Sequence, residues 1–466
     1  MEMVADTGLK ITRRASTARM PSGGYLFAVV KEKVQDYIAS GCGPNRRIIS
    51  LGKGDTPLPL PSVIAESMAE FAKNMQTSTN SGTQHRFWNR ILRGEINSWI
   101  DAYFRGYFNE QRVYPLPGFP GPEGFVGYDS QYEPTLRQLI SEKYYGTRCR
   151  VEVHEIFCND GSKPDIGRLQ LLFDPTMRVA VQDPAYPVYA DSAVLSGRIS
   201  GRMNVRGHYD DIVYLPCTER NDFFPDLSLT LDEGGRGGAD IIYYCNPNNP
   251  TGVSTERGKL NELVQFALKH GKLIIYDAAY GSYVSPTSDV PRSIYEIEGA
   301  RKCCIETNSF SKLASFTGVR LGWTVVPEDL HFTDGTPFLT DWHRISTTVF
   351  QGASAVSVAG GTAVLNNLPE VMERVHYYMA NMEMIRETLA ECAIPCYGGI
   401  DAPFVFAKFG GDSWTAFDKL LRECQIVTIP GSGFGPAGEG FLRISGYGTA
   451  DDIKEACGRI RAVFGS

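Results

Sequence analysis

In the run Ser309-Phe310-Ser311-Lys312 an amine stands close to two hydroxyls, and Arg320-Leu321-Gly322-Trp323 follows shortly after. Together these groups suit a phosphorylated aldehyde. Lys312 condenses with the carbonyl as a Schiff base, and Ser309, Ser311 and the planar guanidinium of Arg320 hold the phosphate. Pyridoxal 5'-phosphate is a cofactor of this kind, and it also needs an acidic partner for its pyridine nitrogen. Asp277 can be that partner, keeping the nitrogen protonated so that the ring accepts electrons. Tyr280, three residues on, is spaced to reach the ring hydroxyl. Lys312 then doubles as the acid/base that moves a proton at the substrate carbon.

Other residues extend the set. Asn249 lies in Asn246-Pro247-Asn248-Asn249-Pro250-Thr251-Gly252, a turn by composition. Coming after an apolar strand, its amide is placed to donate to the cofactor's phenolic oxygen. Tyr186, in Asp183-Pro184-Ala185-Tyr186-Pro187, can stack on the pyridine face, although an aromatic after a strand is as often core. Gly161-Ser162-Lys163 opens a helix, whose free N–H groups favour a phosphate. Arg443, in Leu442-Arg443-Ile444-Ser445, suits bidentate capture of a substrate α-carboxylate.

These residues need a scaffold that brings them together. Five apolar runs read as strands: Glu155 to Cys158, Val179 to Val181, Asp240 to Cys245, Leu273 to Asp277 and Cys303 to Thr307. Helical stretches lie between several of them, including one through Leu169 and Leu172 and another from Lys259 to His270. Continuous apolar strands alternating with helices predict an α/β fold with a mostly parallel sheet covered on both faces. Ligands bind such sheets at the carboxyl ends of the strands. Asn159, Asp183, Asn246, Asp277 and Ser309 all fall at or just past such ends.

Beyond about residue 365 the pattern changes to a long helix from Pro369 toward Leu389 and short strands near Phe404-Val405-Phe406 and Phe441 to Ile444. This predicts a smaller α+β domain. The expected division is 1–70 as an N-terminal arm and part of the small domain, 71–123 as a helix and insertion, 124–340 as the large cofactor-binding domain, and 341–466 as the small C-terminal domain. Within the second segment Trp88, Ile91, Leu92, Ile96, Trp99, Tyr103 and Tyr107 recur at helical spacing, before Pro115, Pro117, Pro120 and Pro122 break any regular element. An amphipathic helix on the body is the plain reading, and a partner or lid surface the sharper one.

Bulk properties exclude several classes. The chain has 466 residues, enough for two or three domains. Its formal net charge of −7 argues against nucleic acid as a partner, and no apolar run is long enough to span a bilayer. The 11 cysteines are scattered and odd in number, as expected of buried thiols in a reducing compartment. Cys392 and Cys396 have no second pair at zinc spacing, so no metal site is expected. Arg13, Arg14 and Arg19 among Ser and Thr are faintly like a transit peptide, but the segment is short and carries Glu2 and Asp6. The cytoplasm is the default, with a plastid or another organelle as the alternative. Ser309-Phe310-Ser311-Lys312 also matches the Ser-x-x-Lys of penicillin-binding enzymes, but the companion Ser-Asp-Asn and Lys-Thr-Gly strings are missing. Gly431-Ser432-Gly433-Phe434-Gly435 lacks the Lys-Ser/Thr ending of a nucleotide loop.

The ordered series Asn249, Asp277, Tyr280, Ser309, Ser311, Lys312, Arg320, Arg443 resembles the fold-type I pyridoxal-phosphate aminotransferases. A nearer resemblance is to the LL-diaminopimelate aminotransferase family. It is carried by Gly24-Tyr25-Leu26-Phe27, Gly54-Asp55-Thr56, Asp160-Gly161-Ser162-Lys163, Val181 to Pro187, Phe316 to Trp323 and Pro430 to Gly435. It covers nearly the whole chain outside 85–123. The resemblance implies amino transfer between LL-diaminopimelate with 2-oxoglutarate and tetrahydrodipicolinate with glutamate, in lysine biosynthesis. It also implies a homodimer with shared active sites. Ser162, Lys163, Ser309, Ser311 and Arg320 would hold phosphate, with Tyr128 adding a hydroxyl across the subunit boundary. Tyr25, Gly54, Lys163, Tyr186, Asn249, Gln351 and Arg443 would contact substrate.

Two strings depart from the family. Its Tyr-Gly-x-Glu-x-Gly is here Tyr128-Asp129-Ser130-Gln131-Tyr132-Glu133, and its Phe-Asn-Gly-Ala-Ser is Phe350-Gln351-Gly352-Ala353-Ser354. Both face the far end of the substrate in the family. Loss of a carboxylate near a distal ammonium costs about 1.5 to 3 kcal/mol. The alternatives are therefore an aminotransferase for another L-amino acid, a β-eliminating lyase of the same fold, and a cofactor-binding protein with little turnover.

Overall fold

The computed structural model describes residues 25–41, 47–77, 134–199, 202, 208–231 and 238–465. Tyr128, Gln131, Glu133 and the whole of 85–123 lie outside the described residues.

Thirteen strands are described. In chain order they are β1 (Ile49–Ser50), β2 (Ile156–Asn159), β3 (Val179–Asp183), β4 (Ile212–Pro216), β5 (Ile241–Cys245), β6 (Leu273–Asp277), β7 (Cys304–Ser309), β8 (Gly322–Val325), β9 (Cys396–Gly398), β10 (Phe404–Lys408), β11 (Ile426–Val427), β12 (Ile429–Pro430) and β13 (Phe441–Ser445). Seven form one sheet in the order β2-β8-β7-β6-β5-β3-β4. Strand β8 runs antiparallel to both neighbours, and the pairings from β7 through β4 are all parallel. Every residue of β3, β5, β6 and β7 is buried, which is why β5 and β6 read as apolar runs nearly throughout. The expected five strands are present, and β4 and β8 join them. Strand β8 is only four residues long and begins inside the Arg320-Leu321-Gly322-Trp323 string, where the chemistry of the motif hid its role as a strand.

Two apolar cores cover the two faces of this sheet. One includes Ile274, Tyr276, Phe310, Trp323 and the helical residues Leu260 and Val264. The other includes Ile166, Val179, Tyr243, Ile275 and Trp342. A separate core joins Leu26, Val30, Tyr37, Ile49 and Leu51 to residues from Met382 onward, among them Val405, Phe417, Leu442 and Ile460. It lies under the antiparallel sheet β12-β13-β10-β9 and the parallel pair β1-β11. The helix Leu368–Glu391 bridges the two bodies. Its Val371, Val375 and Tyr378 pack in the large-sheet core, and its Met382, Ile385 and Leu389 in the smaller one. The change of core therefore falls inside that helix rather than at residue 341, and Trp342, Val358 and Val364 belong with the large sheet.

The register sets the edge of the large sheet that matters. Asn159 and Ser309 both pair with Gly322. Cys245 pairs with Asp277, and Asp277 with Thr307. A Cβ at Gly322 would lie 2.6 Å from both Asn159 Oδ1 and Asn308 O, so only glycine lets the three strand ends close up here.

Candidate active site

The carboxyl edge of the large sheet, the start of the N-terminal helix and strand β13 enclose one cavity of about 730 Å³. Lining it are Tyr25, Gly54, Ser162, Lys163, Tyr186, Asn249, Asp277, Tyr280, Ser309, Ser311, Lys312, Arg320 and Arg443. Of the site residues expected from sequence, only two are not gathered here. Tyr128 lies outside the described residues. Gln351 is exposed, with a left-handed φ of 63°, just past the helix Phe338–Val349, and is not in the cavity wall of its own chain.

Lys312 occupies the short helix Phe310–Leu313 that follows β7, and Ser309 caps this helix by accepting from the Ser311 N–H at 3.0 Å. The Lys312 amine donates to the Gly54 carbonyl. A Tyr447 ring centroid lies 5.7 Å away. Burial lowers its pKa from the usual lysine value to about 8, opposed by the nearby carboxylate of Asp55 and assisted by the like charges of Arg443 and Arg320. A lysine held this way becomes neutral from about pH 8 upward, well below the usual lysine range, and the neutral amine is the form that attacks a carbonyl.

Asp277 ends β6 and is buried. One of its oxygens accepts from the Tyr189 hydroxyl at 2.8 Å, the other from the Ala279 N–H at 3.1 Å. Burial raises its pKa above the usual aspartate value, and these two hydrogen bonds oppose the rise. No salt bridge to Asp277 forms among the described residues, so a protonated ring nitrogen would be its counter-charge. Tyr189 did not come out of the sequence reading. The only sign of it is its place three residues after Tyr186, with Pro187 starting a helix between them. Tyr186 meets Tyr189 edge-on at 5.9 Å, and Tyr189 stacks on Tyr243 at 5.3 Å, so the carboxylate is fixed by a packed aromatic column. Tyr280 is buried in the same wall, its ring edge-on to Phe404 at 5.2 Å.

The end of the cavity suited to a phosphate lies at the start of the helix Ser162–Leu169. A Cβ at Gly161 would lie 2.6 Å from Arg320 Nη2, so the guanidinium lies directly over the helix entrance. Arg320 takes a left-handed φ of 67° and donates to the Thr317 carbonyl at 3.0 Å and the Ser311 hydroxyl at 3.4 Å. A non-glycine residue held there is a local strain of the kind found at ligand sites. Free helix N–H groups, the hydroxyls of Ser162, Ser309 and Ser311, and a guanidinium make a dianion cradle.

At the opposite wall Arg443 is buried. Its Nη1 donates to Asn249 Oδ1 at 2.7 Å and its Nη2 to the Gly52 carbonyl at 2.8 Å. Guanidinium has no acceptor, so the Asn249 oxygen must face it, and the amide N–H groups remain for another partner. Arg443 Nε has no partner among the described residues. Lys163 completes this side, donating to the Tyr25 hydroxyl at 3.3 Å and lying 4.6 Å from the Tyr25 ring centroid and 5.9 Å from that of Tyr186.

The donor set fits a phosphorylated pyridine aldehyde: an amine of lowered pKa, a dianion cradle, and a buried carboxylate with no salt bridge among the described residues. The large mixed sheet, its carboxyl-edge site and the second, smaller core define a fold-type I aminotransferase.

Comparison with known proteins agrees and narrows the group. Residues 123–460 match the family described as "Aminotransferase class I and II". An LL-diaminopimelate aminotransferase from Protochlamydia amoebophila (strain UWE25) is 40% identical over 454 residues, covering 97% of both chains. A chloroplastic LL-diaminopimelate aminotransferase of Arabidopsis thaliana is 39% identical over 98% of this chain and 87% of its own. The solved structure of L,L-diaminopimelate aminotransferase from Chlamydomonas reinhardtii superposes with a TM-score of 0.82 at 39% identity, over 98% of this chain and 100% of that one. The chain belongs to the class I and II aminotransferases and, within them, to the LL-diaminopimelate aminotransferase family. No helix among the described residues is long and apolar enough to cross a membrane.

Proposed function

We propose that this aminotransferase uses pyridoxal 5'-phosphate and moves the amino group of LL-diaminopimelate to 2-oxoglutarate. The observation that carries the reading is the placement of the Lys312 amine and the Arg443 guanidinium on one cavity, with the buried Asp277 carboxylate between strand ends below. When bound, the cofactor supplies the aldehyde carbon that captures the amino group and the ring that accepts electrons. Ser162, Ser309, Ser311, Arg320 and the helix N–H of Lys163 would hold its phosphate, Asp277 its pyridine nitrogen, Asn249 and Tyr280 its ring hydroxyl, and Tyr186 its face.

The protein's own residues then divide the work. Arg443 binds the α-carboxylate and so fixes the orientation of the substrate Cα. Lys312 Nζ, neutral at moderately alkaline pH, takes the Cα proton and returns it. Tyr189 holds Asp277 in place. Tyr25, Gly54 and Lys163 wall the rest of the substrate space. Lys163 is a cation available for a second carboxylate, which LL-diaminopimelate, glutamate and 2-oxoglutarate all carry. Gln351 and Tyr128 would act from a neighbouring subunit in a homodimer, since Gln351 does not line the cavity of its own chain.

A donor screen of the holoenzyme with 2-oxoglutarate as acceptor tests the substrate. Glutamate formation from LL-diaminopimelate, above that from the meso isomer and other L-amino acids, is expected. Preference for a different donor would overturn the substrate. Release of pyruvate and ammonia from a cysteine-like donor in place of amino exchange would favour the lyase alternative.

A further inference from the structure

Arg443 is a buried cation with no anionic partner among the described residues. Its side chain is almost fully enclosed, at 1% exposure, and it forms no salt bridge among the described residues. Two neutral oxygens, of Asn249 and Gly52, take its terminal N–H groups. Burying a guanidinium without a counter-charge is costly, and that cost has to be offset locally. Three aromatic rings surround it. The guanidinium carbon lies 4.5 Å from the Phe404 ring centroid, 5.0 Å from that of Phe434 and 5.5 Å from that of Phe27. All three are inside the range of cation–π attraction. The electron-rich faces stabilise the charge without pairing it, so the guanidinium can still pair with an incoming carboxylate. Its Nε, buried and unpartnered, is one hydrogen bond short of satisfied.

The three rings differ in how they are held. Phe404 starts β10 and packs in the large-sheet core, and Phe434 sits in the turn before β13 in the smaller core. Phe27 comes from the first turn of the helix Leu26–Ala39, at the other end of the chain. It is half-buried and meets Phe434 edge-on at 6.1 Å and Tyr25 at 5.4 Å. The helix start is seated on the same turn, because a Cβ at Gly433 would lie 2.1 Å from Leu26 Cδ1. The wall nearest solvent is thus one side chain from the N-terminal helix.

We propose that Phe27 is a positioning residue for carboxylate recognition, closing with Phe404 and Phe434 a three-ring cage that keeps Arg443 dry, charged and without a protein anion. The proposal deepens the reading of Arg443 given above and rests on it, but not on which amino acid is the donor. Phe27 acts through Arg443 and does not touch the reacting atoms. The cage serves both half-reactions equally, because every amino and oxo acid in the exchange carries the same α-carboxylate.

The test uses holoenzyme with Phe27→Leu, which keeps an apolar side chain of similar bulk without a π face, and Phe27→Tyr, which restores the face. Glutarate, a dicarboxylate with neither amino nor oxo group, is titrated calorimetrically, and steady-state constants are measured for amino donor and oxo acceptor. Phe27→Leu should weaken glutarate binding and raise both KM values by a common factor of about five to ten, the worth of one desolvated cation–π contact. Its kcat should stay within about twofold, since the interaction is made equally before and during reaction. Phe27→Tyr should recover the original values. Reaction of the bound cofactor with hydroxylamine, which has no carboxylate, should be unchanged in both. Unaltered glutarate affinity in Phe27→Leu, a fall in kcat and hydroxylamine reactivity alongside it, or no saturable glutarate binding by the unsubstituted holoenzyme would each overturn the cage. Failure to turn over LL-diaminopimelate with the glutarate pattern intact would defeat the substrate reading alone.

Discussion

The floor of the cavity and its roof are built differently. The floor is made of strand ends from one sheet: parallel register brings Cys245 and Asp277 to one edge, Ser309 ends β7 beside them, and each closes a buried strand. The roof is assembled from segments far apart in the chain, with Tyr25 and Phe27 from the start of the N-terminal helix, Gly52 and Gly54 from the loop after β1, and Arg443 from β13. The floor holds its ionisable groups by hydrogen bonds inside a rigid core, as Tyr189 holds Asp277. The roof holds Arg443 by neutral acceptors and ring faces and leaves it open to a partner. The first arrangement suits a permanent cofactor, and the second a substrate that must come and go.

Substitutions should separate the two by their kinetics. On the floor, Lys312→Ala removes both the covalent anchor and the proton carrier, and kcat should fall by about 10⁴-fold or more. The unsubstituted apoenzyme should capture added cofactor with a pH dependence set by the same amine. Its pKa is lowered to about 8. Below that value the amine is protonated and cannot attack, so capture should slow by about tenfold per pH unit and level off above pH 8. A profile rising only near the usual lysine range would show that the amine is not desolvated.

Asp277→Asn keeps the shape of the site but removes the charge facing the pyridine nitrogen. Turnover should drop by about 10² to 10⁴-fold with little change in KM. On the roof, Arg443→Ala should act the other way, lowering kcat/KM by about 10² to 10³-fold mainly through KM, as expected for removing one partner of a buried charged contact. If the two substitutions gave the same kinetic pattern, the division between floor and roof would fail. Tyr189→Phe is the mildest. Losing one buried hydrogen bond to a carboxylate should cost about fivefold in kcat and shift the visible absorbance of the bound cofactor, while glutarate binding at the roof is untouched.

The two regions also differed in how far the sequence revealed them. An apolar run that stops at Asn, Asp or Ser is a local signal, and it picked out Asn159, Asp277 and Ser309 without any fold in hand, while Lys312 was legible from the hydroxyls and guanidinium near it in sequence. Tyr189 escaped because its partner, Asp277, is 88 positions away and nothing in the helix it occupies distinguishes it from a core tyrosine. Arg443 on its own reads as one arginine on a short strand. It gained meaning from its place in the family series, and its enclosure by Phe27, Phe404 and Phe434 depends on packing between the two ends of the chain. Strand β8 was missed because four residues that begin inside a catalytic string carry too little periodicity to show a strand.

Sodium borohydride reduction of the holoenzyme, followed by digestion and mass analysis, tests the central claim most directly. The account predicts a single stable pyridoxyl adduct on the peptide containing Lys312, absent from Lys312→Ala. An unreduced Lys312 peptide, or an adduct carried by another lysine, would contradict it.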